Sequence, residues 1–170
     1  MNETVARLLN EQINKEFYSA YLYLDMAIFY DDMDLDGYAN YYTIQAQEER
    51  DHALLFMQYL QSNGQKVTLD AIGKPDKTYE TVLDPLVAAA EHERYVSALI
   101  NNIYHEAYQV RDYRTMKFLD WFVDEQREEE DNADSMISRY KLFGQDPRGL
   151  YLLDQEYAAR VYTAPSLVLG

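Results

Sequence analysis

There is no cysteine in the chain. That absence excludes disulfides, iron–sulfur ligation, thiolate zinc sites and a cysteine nucleophile together. Glycine and proline are scarce, six and four in 170 residues, so little of the chain reads as turn or loop. No run of about eighteen apolar residues occurs, so no membrane span is expected. The amino-terminal residues Met1-Asn2-Glu3-Thr4-Val5 lack a basic segment followed by an apolar one, which predicts no secretory leader and cytoplasmic residence. Positive charge is thin: fifteen Lys and Arg stand against thirty Asp and Glu, for a net charge of -15. Phosphate binding needs a basic surface, so nucleic acid is not an expected partner, whereas cations are.

What remains is helix. The length suits one domain with a substantial core. Residues 3 to about 31 carry apolar side chains at Val5, Leu8, Leu9, Ile13, Phe17, Ala20, Leu24, Ala27 and Ile28, the three-and-four spacing of a buried stripe. Asp31 to Gly37 makes a turn. A second helix is predicted from about Tyr38 to Asn63, with Gly64 just past its end. Periodicity then fails as far as about Leu83. A helix of about 27 residues is roughly 40 Å long, and about twenty extended residues span roughly 65 Å. This loop can therefore travel the length of a bundle and start the third helix parallel to the second. Asp84-Pro85 opens that helix, with Asp84 as its N-cap. A turn at Gln109 to Arg114 precedes a fourth helix that starts at about Thr115 and stops at Gly144. Asp146-Pro147-Arg148-Gly149 reads as a break, Leu150 to about Val161 as a short fifth helix, and the rest as a tail. The fold class is all-α: residues 1–145 form a four-helix bundle with one long crossover, and residues 146–170 a fifth helix and tail of the same domain. One long crossover is the connectivity of ferritin-like bundles.

Each long helix interrupts its apolar stripe near mid-length. Glu16 lies between Ile13 and Ala20, and Glu49 with His52 lies between Gln45 and Phe56. Glu93 lies between Ala90 and Val96, and Gln126 with Glu129 between Phe122 and Ala133. A lone Glu-x-x-His pair is weak evidence, because Glu49 and His52 merely share a helix face. Four such interruptions on four helices would meet at one level. Carboxylates in a dry core cost several kcal/mol or take up protons. Multivalent cations resolve the conflict, and oxygen ligands with one imidazole suit iron, manganese or zinc. Two metals sharing Glu49 as a bridge would use the whole set.

The motifs Asn14-Lys15-Glu16-Phe17-Tyr18-Ser19, Gln47-Glu48-Glu49-Arg50-Asp51-His52, His92-Glu93 and Trp121 to Glu130 resemble those of the prokaryotic non-haem ferritins, as does the run Gly149-Leu150-Tyr151. The resemblance extends over roughly residues 3 to 160. It implies a ferroxidase centre: Glu16, Glu49 and His52 on a first iron, Glu49, Glu93 and Glu129 on a second, with Gln126 close by and Tyr23 beside the pair. It also implies a third iron near Glu48, Glu125, Glu128 and Glu129. The fourth helix offers Gln126-x-x-Glu129 where symmetric di-iron proteins repeat Glu-x-x-His, which suggests a second iron that moves on after oxidation. Haem-binding relatives carry Met where this chain has Arg50, so no haem is expected. The implied activity is oxidation of Fe(II) by O2 or peroxide, with ferric mineral stored in a hollow homo-oligomeric cage of twenty-four subunits. Two other readings use the same residues: a di-metal oxidase or oxygenase with an organic substrate, and an acidic bundle without metal. His92 and His105 are expected at the surface or supporting the site, Trp121 in the core or beside the iron. Most of the seventeen tyrosines are expected in packing.

Overall fold

Side-chain caps at Asn2, Asp112 and Asp146 start three of the helices of this chain. The computed structural model describes residues 1–169. Five helices follow one another: α1 Glu3–Asp31, α2 Asp36–Ser62, α3 Leu83–Gln109, α4 Tyr113–Phe143 and α5 Pro147–Ala158. No strand occurs among the described residues. Asn2 caps α1 by accepting from Thr4 N at 2.8 Å. Asp112 caps α4, accepting from Thr115 N at 3.1 Å. Gly64, with φ of +70°, ends α2 in the left-handed region that glycine enters without strain.

Two boundaries differ from expectation. Asp84 is not the N-cap of α3, since the helix begins at Leu83. Its carboxylate reaches back instead, accepting from Glu80 N at 2.8 Å and Thr81 N at 2.7 Å, and so orders the turn before the helix. The expected break at Asp146-Pro147 is itself the start of α5. Asp146 accepts from Arg148 N and Gly149 N, and Pro147 takes the first turn, where its missing N–H costs nothing. The helix therefore runs about three residues earlier at both ends than its apolar pattern suggests.

The helices pack as α1 on α2, α3 on α4 and α1 on α3, with α5 laid against α2. The irregular crossover from α2 to α3 is tied to α1. Asn10 and the Thr68 backbone exchange two hydrogen bonds of 2.8 and 2.9 Å, and Asn14 donates to Ala71 O at 2.9 Å. Apolar packing falls into two clusters. One joins Leu22, Met26, Tyr30, Tyr38, Tyr42, Leu86 and Met136. The other joins Val5, Leu9, Ile13, Phe56, Ile100, Phe118 and Phe122. On every long helix, the polar interruption lies between the part in one cluster and the part in the other. The fold thus carries a polar belt across the middle of an otherwise apolar bundle.

One part of the α1 stripe departs from expectation. Leu24 and Ile28 are exposed, at 42% and 62%, and Tyr23, Met26 and Tyr30 take the core positions instead. Tyr30 succeeds there because its hydroxyl donates to Val82 O at 2.8 Å, so the ring can be buried whole.

Candidate metal centre

Helix register fixes the belt. Glu49 and His52 lie about one turn apart on α2, so both side chains leave one face. Glu16 enters from α1, Glu93 from α3, and Gln126 with Glu129 from α4. All six are buried. Glu16, Glu49 and His52 each present a ligand atom within 4.8 Å of the others. His52 Nδ1 stands 3.4 Å from Glu49 Oε2. No other cluster of three such groups this tight occurs among the described residues.

Amides hold the carboxylates in place. Gln12, one turn before Glu16, donates to Glu16 Oε1 at 2.8 Å. Gln45, one turn before Glu49, donates to Glu129 Oε2 at 2.7 Å and to Glu49 Oε1 at 3.4 Å. Gln126 donates to Glu93 Oε2 at 3.0 Å, and the Tyr23 hydroxyl donates to Glu93 Oε1. Among the belt carboxylates, Glu16 Oε2 is buried with neither an amide nor a hydroxyl donor on it. A buried, unpaired carboxylate oxygen facing a second carboxylate and an imidazole is a place for a cation.

Electrostatics point the same way. Burial, then the neighbouring Glu49, pushes the Glu16 carboxyl well above its ordinary range. Burial, then Glu93, does the same to Glu49. Glu129 is raised by burial and by Glu93 and Glu49. Glu93 is raised by burial, although Tyr23 and Gln126 oppose this by donating to its ionised form. Burial in a water-poor layer thus pushes all four carboxylates toward their protonated forms, and a divalent ion acts in the opposite direction, because its ligands must be deprotonated. Between Tyr23, Gln45, Glu93 and Glu129 there is a void of only about 10 Å³.

The three outer acids behave differently. Glu48 and Glu125 are half-buried and Glu128 is exposed. With His52 and Glu129 they line one open cavity of about 720 Å³ between α2, α4 and the carboxy-terminal tail. Glu48 is engaged by Arg160, whose Nη2 lies 2.6 Å from its Oε2. His105 is exposed. His92 is half-buried, with Nε2 2.7 Å from Ser19 Oγ, and burial lowers its pKa to about 4. Trp121 sets its indole edge-on to His52, with ring centroids 5.5 Å apart.

Sequence reasoning did not assign Gln12, Gln45 or Arg160 to the site. A signal existed for the first two: Gln-x-x-x-Glu recurs at Gln12/Glu16 and Gln45/Glu49, and residues four apart on a helix are neighbours. Arg160 lies 112 positions from Glu48 and had no local signal.

Comparison with known proteins places the chain. The family model described as "Ferritin-like domain" matches residues 6–143. A bacterial non-heme ferritin of Campylobacter jejuni is 37% identical over 155 residues, covering 91% of this chain and 93% of the relative. One from Staphylococcus saprophyticus is 36% identical over 162 residues, covering 95% and 97%. Among solved structures, an open pore ferritin of the hyperthermophilic archaeon Archaeoglobus fulgidus is similar, with a TM-score of 0.92 and 37% identity over 95% of this chain and 98% of its own. A form engineered to be closed gives a TM-score of 0.93, 37% identity, and 96% and 99% coverage.

Proposed function

The chain belongs to the ferritin family, and we propose that it is an iron-storage ferritin that oxidises Fe(II) at the belt between its two core clusters. Iron is substrate and cargo here. Glu16, Glu49 and His52 hold one Fe(II), Glu49, Glu93 and Glu129 a second, and Glu49 bridges them. Each Fe(II) gives up one electron, so a pair reduces one O2 to hydrogen peroxide, or one hydrogen peroxide to two waters, with two protons taken up in either case. Tyr23 and Gln126 orient Glu93, Gln12 orients Glu16, and Gln45 orients Glu49 and Glu129.

The observation that carries this reading is the Glu16–Glu49–His52 cluster with its unpartnered Glu16 oxygen, in a layer where Glu93 and Glu129 add further carboxylates. The void of about 10 Å³ between Glu93 and Glu129 has room for about one water molecule. The similarity to bacterial non-heme ferritins favours storage chemistry over a di-metal oxygenase with an organic substrate. The missing second imidazole leaves the Glu93–Glu129 position held by oxygen donors alone, which suits an ion that leaves after oxidation. Glu48, Glu125 and Glu128 are then the next carboxylates on its way out, in the cavity that opens beside His52. Storage needs an enclosed space, which a single bundle lacks, so copies assemble into a homo-oligomeric cage.

The test is anaerobic addition of two Fe(II) per chain, followed by air. A fast rise of ferric absorbance is expected, slowed at least tenfold in Glu49→Ala, which removes the bridge. No fast phase in the native protein, or an unchanged rate in Glu49→Ala, would sink the assignment.

A further inference from the structure

Arg160 lies just beyond the end of α5, yet its guanidinium reaches the belt. Nη2 pairs with Glu48 at 2.6 Å, and Nη1 donates to both Tyr41 O and Gln45 Oε1 at 3.0 Å. The guanidinium carbon stacks 4.1 Å above the Tyr41 ring, and Asn40 donates to the Arg160 carbonyl at 3.1 Å. The tail beyond it crosses the opening between α2 and α4. The Tyr162 hydroxyl donates to Asp51, and Trp121 Nε1 donates to Ser166 Oγ at 2.9 Å.

We infer that Arg160 is a positioning residue for the metal centre, and that it competes with a cation for Glu48. The inference rests on the reading of the belt as an iron site. Its first half follows from donor–acceptor chemistry. A guanidinium only donates, so it accepts no end of Gln45 but the carbonyl. That directs the Gln45 NH2 group inward, onto Glu49 and Glu129. A flipped amide would set NH2 against guanidinium and oxygen against carboxylate. Arg160 thus decides which way Gln45 faces, and Gln45 steadies the bridging carboxylate and a ligand of the second position. The second half follows from charge. Glu48 faces the cavity that also contains Glu125 and Glu128, and its partner there is the guanidinium. A cation held by these three draws on the same Glu48 charge and repels the guanidinium, so it weakens the Arg160 pair. The Arg160 that seats the tail also fixes Gln45, so filling the outer position loosens both.

The two halves separate experimentally, with Zn2+ as a redox-silent probe titrated by calorimetry into the assembled, metal-free protein. Arg160→Gln is expected to bind the outer Zn2+ roughly three- to tenfold more tightly, because a partly exposed ion pair no longer competes. The same variant is expected to bind the inner pair more weakly. Arg160→Lys keeps the charge on Glu48 but lacks the fork, so its outer affinity should match the native protein while its inner affinity falls. Inner and outer affinities of Arg160→Gln both within twofold of native would overturn the inference, and so would a parallel loss at every position. Limited trypsin cleavage of the native protein after Arg160 gives a readout that needs no variant. Zn2+ at outer-site saturation should speed cleavage severalfold over protein with only the inner pair filled, and an unchanged rate would overturn the competition. Native protein that binds no pair of Zn2+ per chain would instead strike the metal-centre reading itself.

Discussion

Glu49 sits where folding and chemistry conflict. Burial and neighbouring carboxylates make its charge costly, and a bridging ligand must be charged. Glu49→Gln keeps the shape and removes the charge. The metal-free variant should therefore be more stable, by on the order of 1 kcal/mol, and should lose most of the thermal stabilisation that Zn2+ gives the native protein. Differential scanning calorimetry with and without Zn2+ measures both, and a less stable metal-free variant would contradict the account. The pH dependence has a definite sign. Glu16, Glu49, Glu93 and Glu129 all have folded pKa values raised above their unfolded ones. Their contribution to stability is intact below the unfolded carboxylate value, about 4.3, and is lost as pH rises through the raised folded values. Metal works in the opposite direction, since its ligands must be deprotonated. The gap in melting temperature between Zn2+-loaded and metal-free protein should widen from pH 5 to 7, with protons released on binding. The six belt residues were readable in the sequence because each breaks a periodic apolar stripe, a strictly local signal. Arg160 was not, because its contacts to Glu48 and Gln45 exist only after α5 has docked.

At the scale of elements, α5 is the piece that carries Arg160 to the belt, and it docks mainly on α2. Asp154 is buried and accepts from Gly37 N at 2.8 Å and Tyr38 N at 3.1 Å, so α5 caps the start of α2. The approach is close: a Cβ on residue 37 would lie 1.7 Å from the Asp154 carbonyl oxygen. Gly37→Ala should therefore dislodge α5, and Asp154→Ala should cost about 1–2 kcal/mol through the lost cap. Hydrogen exchange should quicken in α5 and the tail of both variants, while the mid-helix amides of α1 and α3 stay protected. Uniform quickening across all five helices would show that α5 is not a separable unit. The sequence showed the four long helices well, because their stripes run for seven or more turns and the crossover has only one sensible path. It misplaced α5, whose twelve residues are too few for periodicity to outweigh the Asp146-Pro147-Arg148-Gly149 punctuation. Gly37 looked like part of a turn, and its close approach to α5 needed the tertiary structure.

At the scale of the whole molecule, a net charge of -15 on each chain sets copies against one another. Assembly then depends on apolar faces that outweigh this repulsion. The outer side of α1 supplies one. Leu24 and Ile28 continue the apolar spacing of that helix yet face away from its own core. Leu24 borders a shallow groove of about 600 Å³ with Phe17, Ala20, Tyr21, Ala46 and Ile72. A spacing that looked like core is, within one bundle, unspent apolar surface, and the storage reading requires a second copy to cover it. The double variant Leu24→Glu, Ile28→Glu adds charge to that face without touching the belt. Its mass by analytical ultracentrifugation should fall from a cage to small species. The first turnover of two Fe(II) per chain should proceed within about twofold of the native rate, since the ligands come from one bundle. Iron added at hundreds per chain should then precipitate rather than stay in solution, because no enclosed space remains to hold it. Retention of the native mass would place the contact between copies on another face. A lost first turnover in a correctly folded small species would mean that the oxidation site is completed between subunits, and the belt inside one bundle would no longer suffice.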